Sequence, residues 1–143
     1  MIRTFANVLV AWVLIAAGAA AQTPSYTPVI TPNGATLSWK MVEGVKEFHR
    51  TVEPIEWEMA PGMTIKAWGY NGRTPGPTIE AVEGDRVRIL VTNGLGEGTA
   101  VHWHGILLPS GMDGVQGISQ ASIPPGDTFK YEFTLRQHGT HMY

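Results

Sequence analysis

Two histidines, His102 and His104, flank Trp103 in the stretch "VHWHG" at 101–105. Imidazole nitrogen is a good donor to copper and other borderline metals. If the stretch is extended, alternate side chains share a face, so both rings project together with roots roughly 7 Å apart. Trp103 then turns to the opposite face, where it can fill a core. Two such rings can hold one ion, or one ion each of a multinuclear cluster. The same spacing also describes two polar residues on a solvent-facing strand, and spacing alone leaves both readings open. Gly105 offers a place where another backbone can approach closely. Asp113, in "MDG", reads as a turn-former beside Gly114.

The elements that must position these residues read as short strands. In "DRVRILVTN", Val87, Ile89 and Val91 alternate with Arg86, Arg88 and Leu90, which predicts one apolar face. "DTFKYEFTL" repeats the pattern with Phe129, Tyr131, Phe133 and Leu135. "VKEFHRTVEPIEWEM" is extended and carries Pro54, which disfavours a helix. "MTIKAWGY" and "TAVHWHGI" are further candidate strands. "NGRTPGP" and "PSGMDGVQGISQASIPPG" are turn-rich connections. With no helical stripe, the pattern predicts an antiparallel β-sandwich. Trp39, Trp57, Trp68 and Trp103 are expected in the core or at its edge.

The 143 residues allow one ordinary domain. A net charge of -2 with no basic stripe excludes a nucleic-acid partner. "GLGEG" has neither a following Lys-Ser/Thr nor a helix behind it, so a phosphate loop is rejected. There is no cysteine, which removes disulfides, zinc–thiolate sites and a thiol nucleophile. Six methionines are scattered, and packing or loop roles are expected for them rather than a copper(I) tract. Residues 1–21 carry Arg3, an apolar run from about Phe5 to Ala17 and Ala19-Ala20-Ala21, the pattern of a cleaved signal peptide. The run is shorter than the ~20 residues a membrane span needs, so no stable span is expected after cleavage. The implied location is periplasmic or secreted. Residues 22–44 are rich in Thr, Pro, Ser and Gly and are expected to be a flexible leader.

"TAVHWHGI", followed by "MDGVQGISQASIPPGDTFKYEFTL" and "GTHMY" and preceded by "YNGRTPGPTIEAVEGDRVRILVTN", resembles the N-terminal cupredoxin (plastocyanin-like) domain of the laccase-like and copper-resistance multicopper oxidases. The resemblance covers roughly Val45 to Tyr143. It implies an all-β, cupredoxin-like Greek-key β-sandwich over 45–143, incomplete at its C-terminal end. By the same resemblance His102 ligates a type 2 copper and His104 a type 3 copper of a trinuclear cluster. Asp113 occupies the place of an acid that relays protons in some members. The family oxidises a small reductant and reduces dioxygen to water, using copper held between several cupredoxin domains.

The chain departs from that pattern. The family's type 1 copper needs a Cys thiolate, and its trinuclear cluster needs several H-x-H motifs. Here there are five His in all and one such motif. "GTHMY" reaches the threshold of the second motif at Tyr143. By alignment His141 falls at a position that is usually aromatic, and His138 has no ligand counterpart. His49 reads as an ordinary surface residue. The expectation is therefore a fragment of a larger oxidase, inactive alone. The alternative functions are a non-enzymatic copper-binding protein of the periplasm and a cupredoxin-like structural module.

Overall fold

The computed structural model describes residues 26–143. The expected signal peptide, 1–21, lies outside the described residues. Five strands form one sheet: β1 (Trp39–Val42), β2 (Val45–Ala60), β3 (Met63–Tyr70), β4 (Arg86–Asn93) and β5 (Thr128–Thr134). Their order is β1-β2-β4-β5, and β3 pairs with the second half of β2. The one helical element described is a 3-10 turn at Ser110–Met112. The all-β expectation stands.

Alternation decides which face each strand buries. Val87, Ile89 and Val91 of β4 are at most 2% exposed, as are Phe48 of β2 and Tyr131 of β5. Phe133 joins them, and together they form the inner face. Each aliphatic or aromatic side chain so buried contributes on the order of 1.5–3 kcal/mol. The opposite face is ionic. Arg88 bridges Glu47 on β2 at 3.0 Å and Glu132 on β5 at 2.7 Å, and Arg86 adds a second contact to Glu132. These cross-strand pairs fix the register of three strands; the Arg88, Glu47 and Glu132 side chains are partly buried, while Arg86 is exposed and its pair is worth little.

Four expectations need correction. The strands are not all antiparallel, because β2 and β4 run parallel, with Phe48 opposite Ile89. Parallel neighbours need a long crossover, and residues 61–85 supply it through β3 and the "NGRTPGP" turns. The segment 99–106 is extended but forms no ladder; it makes single bridges, Thr99 to Ile123 and His104 to Met142. Together with its bridge partner Ile123 it covers the inner sheet face as an irregular layer, contributing Val101 and Trp103 to the core. Buried Asn93 ties this layer to β4: its amide donates to the carbonyls of Glu97 and Ile123, both at 2.8 Å, and its oxygen accepts from Leu95 N. Third, the expected leader, 22–44, is built into the fold from Thr36 onward. Leu37 is in the core, Thr36 Oγ1 donates to Glu80, and β1 pairs with β2. Finally, Trp39 and Trp68 are 47% and 61% exposed, so of the expected core tryptophans only Trp103 is buried, with Trp57 half-buried.

Lys46, almost buried on β2, pairs with Asp85 at 2.8 Å. Burial pushes the Asp85 carboxyl up, but hydrogen bonds from Lys46 and from the Val82 N–H bring it below the usual aspartate range. A depressed carboxylate adds stability above its unfolded pKa, and that stability fades as pH falls through the folded value. Asp85→Asn should therefore cost about 1–3 kcal/mol at pH 7. The gap to wild type should close below about pH 4, followed by denaturant unfolding across pH.

Candidate metal centre

The irregular layer still keeps the alternation that the sequence implies. Val101 and Trp103 are each 2% exposed, while His102 and His104 face outward. The two imidazole centroids lie 5.6 Å apart with planes tilted by 46°. Trp103 anchors the pair from behind, edge-on to Tyr131 at 5.3 Å and near Phe133 at 6.0 Å. Tyr131 also accepts the Val101 N–H through its hydroxyl at 3.1 Å. The backbone that carries the histidines is thus fixed from the core side.

Asp113 approaches from the other direction. The 3-10 turn ends at Asp113, whose N–H donates to Ser110 O. The Asp113 carbonyl accepts from His102 Nδ1 at 2.8 Å and from the Trp103 N–H at 3.3 Å. A carbonyl cannot donate, so His102 Nδ1 must carry the proton, and Nε2 is left with its lone pair free. The Asp113 carboxylate lies farther off, with Oδ1 3.5 Å from the same nitrogen. Asp113 therefore holds His102 chiefly through its backbone, and the side chain stands beside that contact.

The return of the chain is possible only because of Gly114. It has φ +79, and a Cβ there would overlap the Val101 carbonyl oxygen and come within 3.0 Å of the His102 Cα. The sequence marks Gly114 only as a turn residue, and Gln137 not at all. Gln137 accepts from the Leu107 N–H and donates to the Gly105 carbonyl, each at 2.7 Å, which clamps the turn after His104. A glycine after Asp signals a turn, but not what the turn packs on. Nothing local marks Gln137.

On the far side, the His104 N–H donates to Met142 O at 3.0 Å. Tyr143 donates to Pro77 O at 2.7 Å and lies 6.2 Å from Trp103. Arg50, 1% exposed, sits between the faces of Tyr70 and Tyr143, 4.0 Å and 3.5 Å from their centroids. Burial lowers the Arg50 pKa and raises those of both tyrosines. The tyrosines stay neutral at physiological pH, so ring quadrupoles rather than a counter-ion face the guanidinium.

The structure brings His102, His104 and Asp113 together and leaves the other histidines out. His49 is on the ionic outer face, hydrogen-bonded to Glu47 at 2.8 Å. His138 is exposed, 3.5 Å from Glu83. His141 lies beside Gly105, and its Nε2 is 3.3 Å from the Gln137 amide nitrogen. Among the described residues no group of three or more His, Cys, Asp or Glu is arranged to hold a metal. The donors that are present, one oriented imidazole and a second beside it, fit copper chemistry but supply only part of a coordination sphere.

Comparison with known proteins gives a consistent result. A family model described as multicopper oxidase matches residues 51–143. Copper resistance protein A of Escherichia coli is 49% identical over 82 residues, which is 57% of this chain and 14% of that protein. L-ascorbate oxidase of Brassica rapa subsp. pekinensis is 49% identical over 114 residues, 76% of this chain and 20% of that protein. The crystal structure of a multi-copper oxidase from Pseudomonas thermotolerans superimposes with TM-score 0.63 at 40% identity, over 65% of this chain and 23% of that one. The chain thus spans a small fraction of the length of the relatives it matches.

Proposed function

The chain belongs to the multicopper oxidase family, and on that premise we propose that its cupredoxin-like region supplies His102 and His104 to a shared copper cluster. His102 is the type 2 ligand and His104 a type 3 ligand. The reaction is oxidation of a small reductant coupled to reduction of dioxygen to water, carried out with further cupredoxin domains. The protein acts outside the cytoplasm, as the signal-like segment 1–21 suggests. The observation that carries the reading is the His102 Nδ1–Asp113 carbonyl bond, which leaves Nε2 directed for a metal.

Bound copper supplies the electron transfer and the handling of dioxygen. The chain's own residues do the rest. Asp113 fixes the His102 tautomer, and its outer carboxylate, 3.5 Å from Nδ1, can hold a proton next to the cluster. Trp103 and Tyr131 exclude water from behind the histidines. Gln137 keeps the turn after His104 from opening.

Copper(II) titration followed by electron paramagnetic resonance tests the assignment. The first equivalent should show nitrogen hyperfine coupling from imidazole. His102→Ala/His104→Ala should weaken binding by roughly tenfold or more, about 1.4 kcal/mol or above. Equal affinity and an unchanged spectrum in the double variant would exclude these two residues as ligands.

A further inference from the structure

We propose that Met59 and Met63, at the tip of the β2–β3 hairpin, form a thioether site for a soft monovalent cation, Cu(I) or Ag(I). The argument rests on register. Glu58 and Thr64 are direct cross-strand partners, so they share a face. The next residue on each strand turns to the opposite face. Met59 and Met63 therefore face the same way, on facing strands. The register then slips, pairing Ala60 with Met63 and leaving Met59 as the extra residue of a bulge. Directly opposed side chains have Cβ atoms roughly 4.5–5.5 Å apart and diagonal ones roughly 7–8 Å, gaps that two flexible thioether arms can span to one ion.

The tip is held rather than loose. Pro61 and Gly62 make the turn, with Gly62 at φ +77, and the Gly62 N–H donates to Glu58 Oε1 at 2.8 Å. The methionines are 60% and 59% exposed. The sequence predicts packing or loop roles for them, and their exposure beside the turn leaves the loop role, with both sulfurs open to solvent. By the same alternation Trp57 and Ile65, a direct pair, lie next to them on that face. The Trp57 ring already faces the Arg73 guanidinium, 5.9 Å from its centroid, so the sulfurs themselves must draw the cation, while Glu56 and Glu58 outnumber Lys66 on the other side of the ribbon. Thioethers are neutral, soft and weakly basic, so they select a soft cation of low charge over Cu(II) or Zn(II). The site uses none of the residues assigned to the histidine centre and does not depend on that assignment.

The test is titration of the protein, labelled with carbon-13 at the methionine methyls, with silver nitrate under chloride-free conditions. Of six methionine resonances, those of Met59 and Met63 should move first and together, saturating near one equivalent. Met59→Leu/Met63→Leu, which conserves side-chain volume, should lower silver affinity roughly tenfold or more. Met41→Leu should change nothing, and far-ultraviolet circular dichroism should be the same for all. His102→Ala/His104→Ala should leave the two methionine shifts intact, so this site can fail or stand separately from the copper ligands. Shifts spread evenly over the methionines, or shifts at histidines alone, would overturn the proposal. So would undiminished silver affinity in the double leucine variant.

Discussion

Gly114→Ala should destabilise the protein by about 2–5 kcal/mol and abolish copper binding at His102. Two costs add. An alanine at φ +79 loses roughly 1–2 kcal/mol from Cβ crowding alone. The new methyl also overlaps the Val101 carbonyl oxygen and presses on the His102 Cα. Those atoms are backbone, so they cannot swing aside as a side chain would, and overpacking of this kind costs about 1–3 kcal/mol more. Relief requires moving either the 101–103 segment or Asp113. Either movement breaks the 2.8 Å bond that orients the His102 ring. Gly117→Ala separates the two costs. Gly117 has φ +78 with nothing within 4 Å of an added Cβ. It should lose only the first 1–2 kcal/mol and bind copper as wild type does. Thermal unfolding and the copper resonance signal read both effects. Equal behaviour of the two variants would show that the close approach of Gly114 is not what holds His102.

Trp103→Ala should cost about 3–5 kcal/mol, a large share of the roughly 5–15 kcal/mol a domain of this kind possesses. The ring is 2% exposed and touches Tyr131, Phe133 and Tyr143, which come from two separate parts of the chain. Its loss leaves a cavity between the sheet and the irregular layer, with no ladder to keep that layer in place. Trp103→Phe should cost far less, about 1–2 kcal/mol. Among the described residues Nε1 makes no hydrogen bond, so the smaller ring forfeits volume but no partner. Copper affinity should follow stability in this pair, lost with alanine and largely kept with phenylalanine. A full-strength copper signal in a folded Trp103→Ala protein would show that the histidines are positioned without the core.

Period-two alternation placed much of this site in advance. Val87, Ile89 and Val91, and again Tyr131 and Phe133, are buried as their spacing requires. His102 and His104 share a face for the same reason, even though the segment forms no ladder. Extension alone sets that alternation, whether or not a neighbouring strand is paired. Alternation failed for Trp68, because the half of the ribbon that carries it projects beyond the covered part of the sheet. It was equally silent on the parallel pairing of β2 with β4, which depends on where a long connection returns.

The order of the motifs and the absence of cysteine, both properties of the linear chain, determined the fold class, the metal chemistry and the two candidate ligands. Tertiary structure alone decided how those ligands are held. Asp113 meets His102 through its carbonyl as well as near its carboxylate, Gly114 makes that approach possible, and Gln137 spans from position 137 to Gly105 and Leu107. Side-chain alternation is a local rule, written into neighbouring residues. These contacts join segments about ten to thirty residues apart, and their distances are set by how the loops return over the sheet, which no spacing in the sequence encodes.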